Sequence, residues 1–261
     1  QGTVQQLADQ GVLHSHCADI FRTGKTEGKP ADLHLYVHQL QALAKAQSQQ
    51  SYVVTTGTGS GKSLSFFVPI IDRILKAKAA DPQKRTRAIV IYPMNALANS
   101  QLEELDKFLH GYPADQAPFT VARYTGQEGA TERLEIANNP PDILLTNFMM
   151  LELILTRFED VDRRVVEHCQ GLEFLVLDEL HTYRGRQGAD VALLVRRLRE
   201  RLQARQLVCI GTSATMSSTG TQADRNQTVA SVASLLFGAQ ISEQDVIGET
   251  LERVTNPAKD I

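Results

Sequence analysis

The segment TTGTGSGKS at residues 55–63 constrains this chain more than any other part of its sequence. An apolar run at residues 52–55 precedes it, and a helical pattern at residues 64–79 follows it. In a glycine-rich turn between a strand and a helix, backbone N–H groups and the helix N-terminus both favour a bound anion. The sequence therefore predicts a phosphate-binding loop within an α/β unit. The alternative is an ordinary glycine-rich turn in which a lysine and a serine follow by chance.

The predicted loop assigns a nucleotide contact to each of its last six residues, Thr58, Gly59, Ser60, Gly61, Lys62 and Ser63. Lys62 would reach the β- and γ-phosphates as a catalytic cation, and the Ser63 hydroxyl would coordinate Mg²⁺. The strict form of the motif, G-x-x-x-x-G-K-[ST], has a glycine where this chain carries Thr56. The cofactors predicted from this segment are ATP and Mg²⁺.

Short apolar runs alternate with helical patterns along most of the chain. The predicted strands lie at residues 52–55, 88–92, 119–124, 142–146, 173–177 and 207–211. The predicted helices lie at residues 36–46, 64–79, 97–109, 191–204 and 229–237. This alternation predicts an α/β fold, in which a parallel sheet is covered by helices on both faces. Ligands of such sheets bind at the carboxyl ends of the strands, and every motif singled out here falls at such an end.

Two carboxylates, Asp178 and Glu179, directly follow the apolar run LVL at residues 175–177. Phosphoryl transfer needs a group that holds Mg²⁺ and a group that prepares the attacking water. Asp178 would hold Mg²⁺ through its water shell, and Glu179 would orient and deprotonate the water. An acidic turn at a strand end is the alternative, which the phosphate loop upstream makes less favourable.

The string DELHTYRG at residues 178–185 links the chain to a known family. Its first four residues resemble the D-E-x-H box of superfamily 2 helicases, and the whole string is similar to the MrfA-type DNA helicases. The string YPMNALANSQ at residues 92–101 resembles the DrmA-type helicases of the phage-defence system DISARM. The resemblance implies a RecA-like lobe of a P-loop NTPase. It also accounts for Thr56, because superfamily 2 motors commonly keep only T-G-x-G-K-[ST].

The same resemblance implies further site residues. Gln39 would recognise adenine, since an amide can donate and accept hydrogen bonds at once. The residues implied to contact a nucleic-acid backbone are Pro93, Asn95, Thr125, Gly126, Thr146 and Asn147. The residues implied to couple hydrolysis to that contact are His181, Ser213, Ala214 and Thr215. Taken singly, these residues are better explained as ordinary helix or turn residues, and it is their order along the chain that favours the functional interpretation.

The composition sets few limits on the partner. The net charge of −3 does not indicate a nucleic-acid binder, although a local groove can hold a backbone without overall basicity. Cys17, Cys169 and Cys209 show neither metal-ligand spacing nor a disulfide framework, so we expect a reducing cytoplasm. No apolar run reaches the roughly 18 residues that a membrane span needs.

We expect three parts in the chain. Residues 1–30 form an N-terminal accessory segment with a short helix and then a loop, and residues 31–216 form the RecA-like lobe. Residues 217–261 form a linker toward a second RecA-like lobe. The resemblance implies that this second lobe supplies an arginine finger, and we find neither a second sheet pattern nor a finger motif after residue 216.

Two classes of function fit these features. The first is a DNA-dependent ATPase that moves along single-stranded DNA or a duplex with a single-stranded end, with protein partners expected in a defence or repair complex. An RNA substrate stays open, since nothing in the sequence recognises a 2′-hydroxyl. The second is an ATP-binding scaffold or sensor. Lys62, Asp178 and Glu179 favour the first, because a scaffold needs no hydrolytic base.

Overall fold

The computed structural model of the chain describes residues 2–57, 59–214 and 221–248. Its helices are α1 (Val4–Asp9), α2 (His16–Ile20), α3 (Val37–Gln47), α4 (Leu64–Ala80), α5 (Asn95–Leu109), α6 (Ala130–Asn138), α7 (Phe148–Thr156), α8 (Asp160–Glu167), α9 (Gly185–Arg201) and α10 (Gln222–Phe237). Its strands are β1 (Gly2–Thr3), β2 (Arg22–Thr23), β3 (Ala31–Asp32), β4 (His34–Leu35), β5 (Tyr52–Thr55), β6 (Ala88–Tyr92), β7 (Val121–Tyr124), β8 (Ile143–Asn147), β9 (Phe174–Leu177), β10 (Val208–Ser213) and β11 (Val246–Gly248).

Seven strands form one sheet in the order β11-β5-β10-β9-β6-β8-β7, and every neighbouring pair is parallel. The six strands predicted from sequence all belong to it. Parallel strands require crossover connections, and helices supply them. The predicted fold class, a parallel sheet covered by helices, is therefore confirmed.

The sheet separates two apolar cores. Successive side chains of a strand point to opposite faces, so Ile89 and Ile91 of β6 enter one core and Val90 enters the other. Helices α6–α10 cover the first core, and α1–α5 cover the second. All five residues of β6 are buried, which explains why the strand has a continuous apolar sequence rather than an alternating one.

The N-terminal segment is more ordered than predicted. In place of one helix and a loop, it has two short helices and two small antiparallel strand pairs, β1 with β4 and β2 with β3. Val4, Leu13, Cys17, Ile20 and Phe21 are buried in the same core as α3 and α4. Residues 2–30 therefore pack onto the sheet-bearing unit.

The C-terminal part also differs from the predicted linker. Helix α10 begins at a capping box between Thr221 and Asp224 and ends at Gly238, whose φ of 62° is a left-handed conformation that suits glycine. It packs against α9, and β11 pairs with β5. The boundary predicted at residue 216 is too early, because the described residues 221–248 belong to the sheet and its covering layer. A three-residue strand is too short to show a periodic pattern.

The three cysteines are free and buried, in agreement with the expectation that none forms a disulfide. Among the described helices, none has both the length and the apolar character that crossing a membrane requires.

Candidate nucleotide and nucleic-acid site

The predicted motifs meet at one edge of the sheet, because the strands are parallel and the motifs follow their carboxyl ends. The phosphate loop follows β5 and the carboxylate pair follows β9. Strand β10 lies between β5 and β9 in the sheet. The end of β10 is therefore the part of the structure that separates the phosphate loop from the carboxylates.

The phosphate loop is held by its own side chains. The Ser60 hydroxyl donates to the Gly57 carbonyl at 2.8 Å, and it lies 2.6 Å from the buried Thr56 hydroxyl. A threonine at the first glycine position of the strict motif thus has a structural use. Gly59 and Gly61 have φ values of 81° and 71°, which favour glycine. Thr58 lies outside the described residues.

Several backbone donors of the phosphate loop are unpaired in the described part of the chain. Within the described part of the chain, the backbone N–H groups of residues 60–63 have no hydrogen-bond acceptor. Ser63 is the N-cap of α4, yet its hydroxyl makes no capping bond. Free N–H groups at the start of a 17-residue helix are what a phosphate requires.

The Gln39 side chain is hydrogen-bonded to the phosphate loop. Its side chain is 2% exposed, donates to the Gly61 carbonyl at 2.9 Å and accepts from the Tyr36 N–H at 2.8 Å. A Cβ atom on Gly61 would lie 2.8 Å from the Gln39 amide nitrogen, so Gly61 is required for this approach as well as for its φ. The amide retains a second N–H, and adenine recognition by Gln39 stays a prediction.

Glu179 faces the phosphate loop. One of its carboxylate oxygens lies 3.5 Å from the Lys62 ammonium, and the other lies 3.1 Å from His181 Nδ1. The Ser213 hydroxyl lies 3.5 Å from the same histidine nitrogen. Glu179, Lys62 and His181 thus lie in one partly buried cluster, and their catalytic roles stay predictions. Ala214 follows directly at the end of β10, and Thr215 lies outside the described residues.

Asp178 is held differently from Glu179. Its backbone N–H donates to the Ile91 carbonyl at 3.0 Å, and its carboxylate accepts a hydrogen bond from the Thr212 hydroxyl. Burial raises the pKa of Asp178, and the repulsion of Glu179 adds to this, while the Thr212 hydrogen bond and the Lys62 charge oppose it. Sequence reasoning missed Thr212, whose only signal was its place directly before the Ser213–Ala214 motif.

The donor set fits a magnesium–nucleotide complex. Mg²⁺ is usually bound by one or two protein oxygens, with phosphates and waters as its other ligands. Asp178 and Ser63 offer one carboxylate and one hydroxyl, and the described residues contain no cluster of three or more His, Cys, Asp or Glu that could hold a metal ion alone. A cation bound here would therefore depend on the phosphates.

The residues predicted to contact nucleic acid come together at the ends of β6, β7 and β8. The Asn147 amide donates to the Asn95 side-chain oxygen at 2.7 Å and to the Thr125 carbonyl at 3.0 Å. Its oxygen caps α7 by accepting from the Met150 N–H at 2.7 Å. Pro93 and Asn95 are partly exposed at the start of α5. The structure thus joins three motifs that are up to 54 residues apart in sequence, from Pro93 to Asn147.

Two of these predicted contacts need correction. Thr146 is 0% exposed, and its hydroxyl donates to the Tyr124 carbonyl at 2.6 Å, so no phosphate can reach it in this conformation. The N–H groups of Thr125 and Gly126 are not free, because they donate to the Glu128 carboxylate at 2.7 and 2.8 Å. Thr146 is therefore internal, and Glu128 shapes the loop after β7. No sequence pattern indicated this role for Glu128.

Comparison with known proteins places these features in a family. The chain matches the DEAD/DEAH box helicases over residues 36–223. It is 32% identical over 186 residues to the "Uncharacterized ATP-dependent helicase YprA" of Bacillus subtilis, a match that covers 70% of this chain and 23% of that protein. The chain thus spans about a quarter of the length of that relative.

Two solved structures resemble the fold. The crystal structure of the DUF1998 helicase MrfA bound to DNA has a TM-score of 0.62 at 26% identity, and the match covers 82% of this chain and 27% of that chain. The structure of the Mycobacterium smegmatis helicase Lhr bound to ssDNA and AMP-PNP has a TM-score of 0.61 at 27% identity. That match covers 80% of this chain and 26% of the Lhr chain.

Proposed function

This chain belongs to the DEAD/DEAH box helicase family, and on that premise we propose that it is the ATP-binding lobe of a motor that hydrolyses ATP and moves along DNA. The observation that carries the proposal is the 3.5 Å approach of Glu179 to Lys62. It supports the proposal because a carboxylate that could act as a base then lies beside the cation of the phosphate loop, at the edge of the sheet where the remaining motifs lie. A scaffold that only binds ATP has no use for this pairing.

Each residue of the cluster has a proposed part in hydrolysis. Lys62 and the N–H groups of the loop bind the β- and γ-phosphates, and Glu179 takes a proton from the attacking water. His181 Nδ1 lies 3.1 Å from the second Glu179 oxygen, and a hydrogen bond between them would limit the directions in which the base can point. Asp178 and Ser63 would hold Mg²⁺, which when bound neutralises charge on the phosphates.

DNA is the proposed partner. The two similar structures are of helicases bound to DNA and to ssDNA. In this chain Asn95 and Asn147 form a polar pair beside the N-terminus of α5, a 15-residue helix. Helix N-termini and small amide side chains suit phosphate oxygens and carry no sequence information. A role in phage defence is not part of the proposal, since residues 92–101 alone suggested it.

A second RecA-like lobe is proposed to complete the motor. The first lobe then includes β11 and extends at least to Gly248, rather than ending at residue 216. The experiment that tests the function is ATP hydrolysis, with and without DNA, by the complete two-lobed protein. Turnover that DNA does not change would favour an ATP-binding scaffold or sensor, and stimulation by RNA in place of DNA would favour an RNA helicase.

Replacing Lys62 with alanine is expected to weaken ATP affinity by roughly 10- to 100-fold, because a charge-assisted contact to phosphate contributes about 1.5–3 kcal/mol. Equilibrium binding of a fluorescent ATP analogue measures this. Lys84→Ala is the matched control, because Lys84 is exposed and bonds the Asn139 side chain elsewhere. Unchanged affinity in Lys62→Ala would refute the phosphate-loop assignment.

Binding to single-stranded DNA is expected to be weak, independent of base sequence and sensitive to salt. Each phosphate that Lys or Arg neutralises adds about 0.7 to the slope of log Kd on log salt for a single strand. One or two such contacts predict a roughly 3- to 7-fold loss of affinity between about 50 and 200 mM salt. Fluorescence anisotropy with oligonucleotides of several sequences measures both properties. A strong preference for one sequence at fixed salt would contradict backbone recognition.

A further inference from the structure

The hydroxyl of Thr212 connects the two carboxylate residues. Thr212 is a residue of β10 and is 0% exposed. Its oxygen accepts a hydrogen bond from the Glu179 N–H at 3.0 Å, and its proton goes to the Asp178 carboxylate. A hydroxyl has only one proton. The Glu179 N–H can only donate, so it cannot accept the hydroxyl proton, and the O–H bond points to the Asp178 carboxylate.

The backbone at this point needs such support. Glu179 has φ 53° and ψ 57°, a left-handed conformation that is unfavourable for a residue with a side chain. This turn sends the Glu179 carboxylate toward Lys62 and His181, while the Asp178 carboxylate stays against Thr212. The two neighbouring carboxylates thus point to different partners only while Glu179 keeps its left-handed backbone conformation.

The sheet register explains why Thr212 is the residue that holds it. Gly211 of β10 pairs with Leu177 of β9, so Thr212 lies beside Asp178, one step beyond the end of β9. The next residue, Ser213, lies 3.5 Å from His181. Two consecutive residues at the end of β10 therefore have different neighbours: Thr212 contacts Asp178 and Glu179, and Ser213 lies near His181.

We propose that Thr212 is a positioning residue that sets the geometry of Asp178 and Glu179 for the magnesium–nucleotide complex. The proposal rests on the proposed ATPase function. Thr212 touches neither nucleotide nor metal in this scheme, and it acts by holding the Asp178 carboxylate and the Glu179 backbone. Removing the hydroxyl frees both groups at once. Metal affinity is sensitive to such supporting hydrogen bonds, and their loss typically costs about 10- to 100-fold.

The variants separate the hydroxyl from the packing of the side chain. Thr212→Val keeps the shape and removes the hydroxyl, and Thr212→Ser keeps the hydroxyl and removes the methyl group. Thr86→Val is the matched control, because Thr86 is also buried and loses a 2.7 Å hydrogen bond to the Pro141 carbonyl, away from the carboxylate cluster. Should Thr212→Val fail to fold, Thr212→Ala replaces it in the same comparison.

The readout is the affinity for a fluorescent, slowly hydrolysed ATP analogue, measured with Mg²⁺ and with EDTA. We expect Thr212→Val to lose about 10- to 100-fold of the Mg²⁺-dependent affinity and to keep the affinity seen in EDTA. Thr212→Ser and Thr86→Val should keep the wild-type Mg²⁺ dependence. A wild-type Mg²⁺ dependence in Thr212→Val, or an equal loss in Thr212→Ser, would overturn the positioning role of Thr212 and leave the proposed ATPase function standing. If the wild-type protein bound no nucleotide, the proposed function would fail and this proposal with it.

Discussion

Glu179→Gln is expected to keep ATP binding and to lower turnover by about 10²- to 10⁴-fold, the usual contribution of a general base. The amide has almost the same size and can hold a water, but it cannot take the proton of that water. Nucleotide affinity should stay equal or rise slightly, because a negative charge 3.5 Å from Lys62 is removed beside the phosphates. This split between binding and turnover distinguishes a base from a residue that only supports the fold.

Single-turnover hydrolysis with excess protein, beside an equilibrium binding assay, measures the two effects separately. Glu152→Gln serves as the control, since Glu152 also forms an ion pair, with Arg197, on α7. Turnover in Glu179→Gln close to that of the wild type would mean that the base lies elsewhere.

The isolated 261-residue chain is expected to bind ATP·Mg²⁺ and to hydrolyse it much more slowly than 1 s⁻¹, with little stimulation by DNA. Lys62 and the loop compensate only part of the charge that develops on the γ-phosphoryl oxygens. Arg184 and Arg186, which follow the D-E-x-H box, are exposed to solvent. We propose that an arginine of a second lobe supplies the missing charge, and such a finger contributes roughly 10³–10⁵ in rate.

Steady-state phosphate release by the isolated chain, with and without single-stranded DNA, tests this expectation. Turnover of about 1 s⁻¹ or faster, which is in the ordinary enzyme range, would show that this lobe completes its own site. A nucleotide affinity assay on the same sample ensures that slow turnover does not reflect a failure to bind ATP.

The sequence predicted those parts of the site that depend on local order. The phosphate loop and the carboxylate pair are contiguous strings at strand ends, so their chemistry is visible before the fold is known. Thr212 and Glu128 escaped notice, because their roles depend on which strands are neighbours and on how one loop turns. The same limit applies to Thr146, which was predicted to contact nucleic acid and is buried in the structure. A threonine at a strand end has the same sequence signature whether its hydroxyl faces a ligand or a neighbouring carbonyl.

Strand β11 shows a second limit of sequence patterns. Its three residues pair with β5 at the edge of the sheet, although about 30 residues and one helix separate them from the strand before. A strand this short contains a single repeat of the two-residue period, so the pattern cannot separate it from a loop. Strand β11 pairs with β5 because the edge of β5 is open to pairing, and that edge exists only once the sheet has formed.

The position of β10 between β5 and β9 also affects how the chain reaches its native state. The phosphate loop and the carboxylates are synthesised earlier, but the strand that lies between them comes last of the three. During synthesis, residues 52–179 can form helices and strand pairs, yet β5 and β9 have no shared neighbour until residues 208–213 arrive. Contacts between distant parts of a chain form slowly. Nucleotide affinity should therefore be acquired in one late step, and nascent chains that end before residue 208 should not retain ATP.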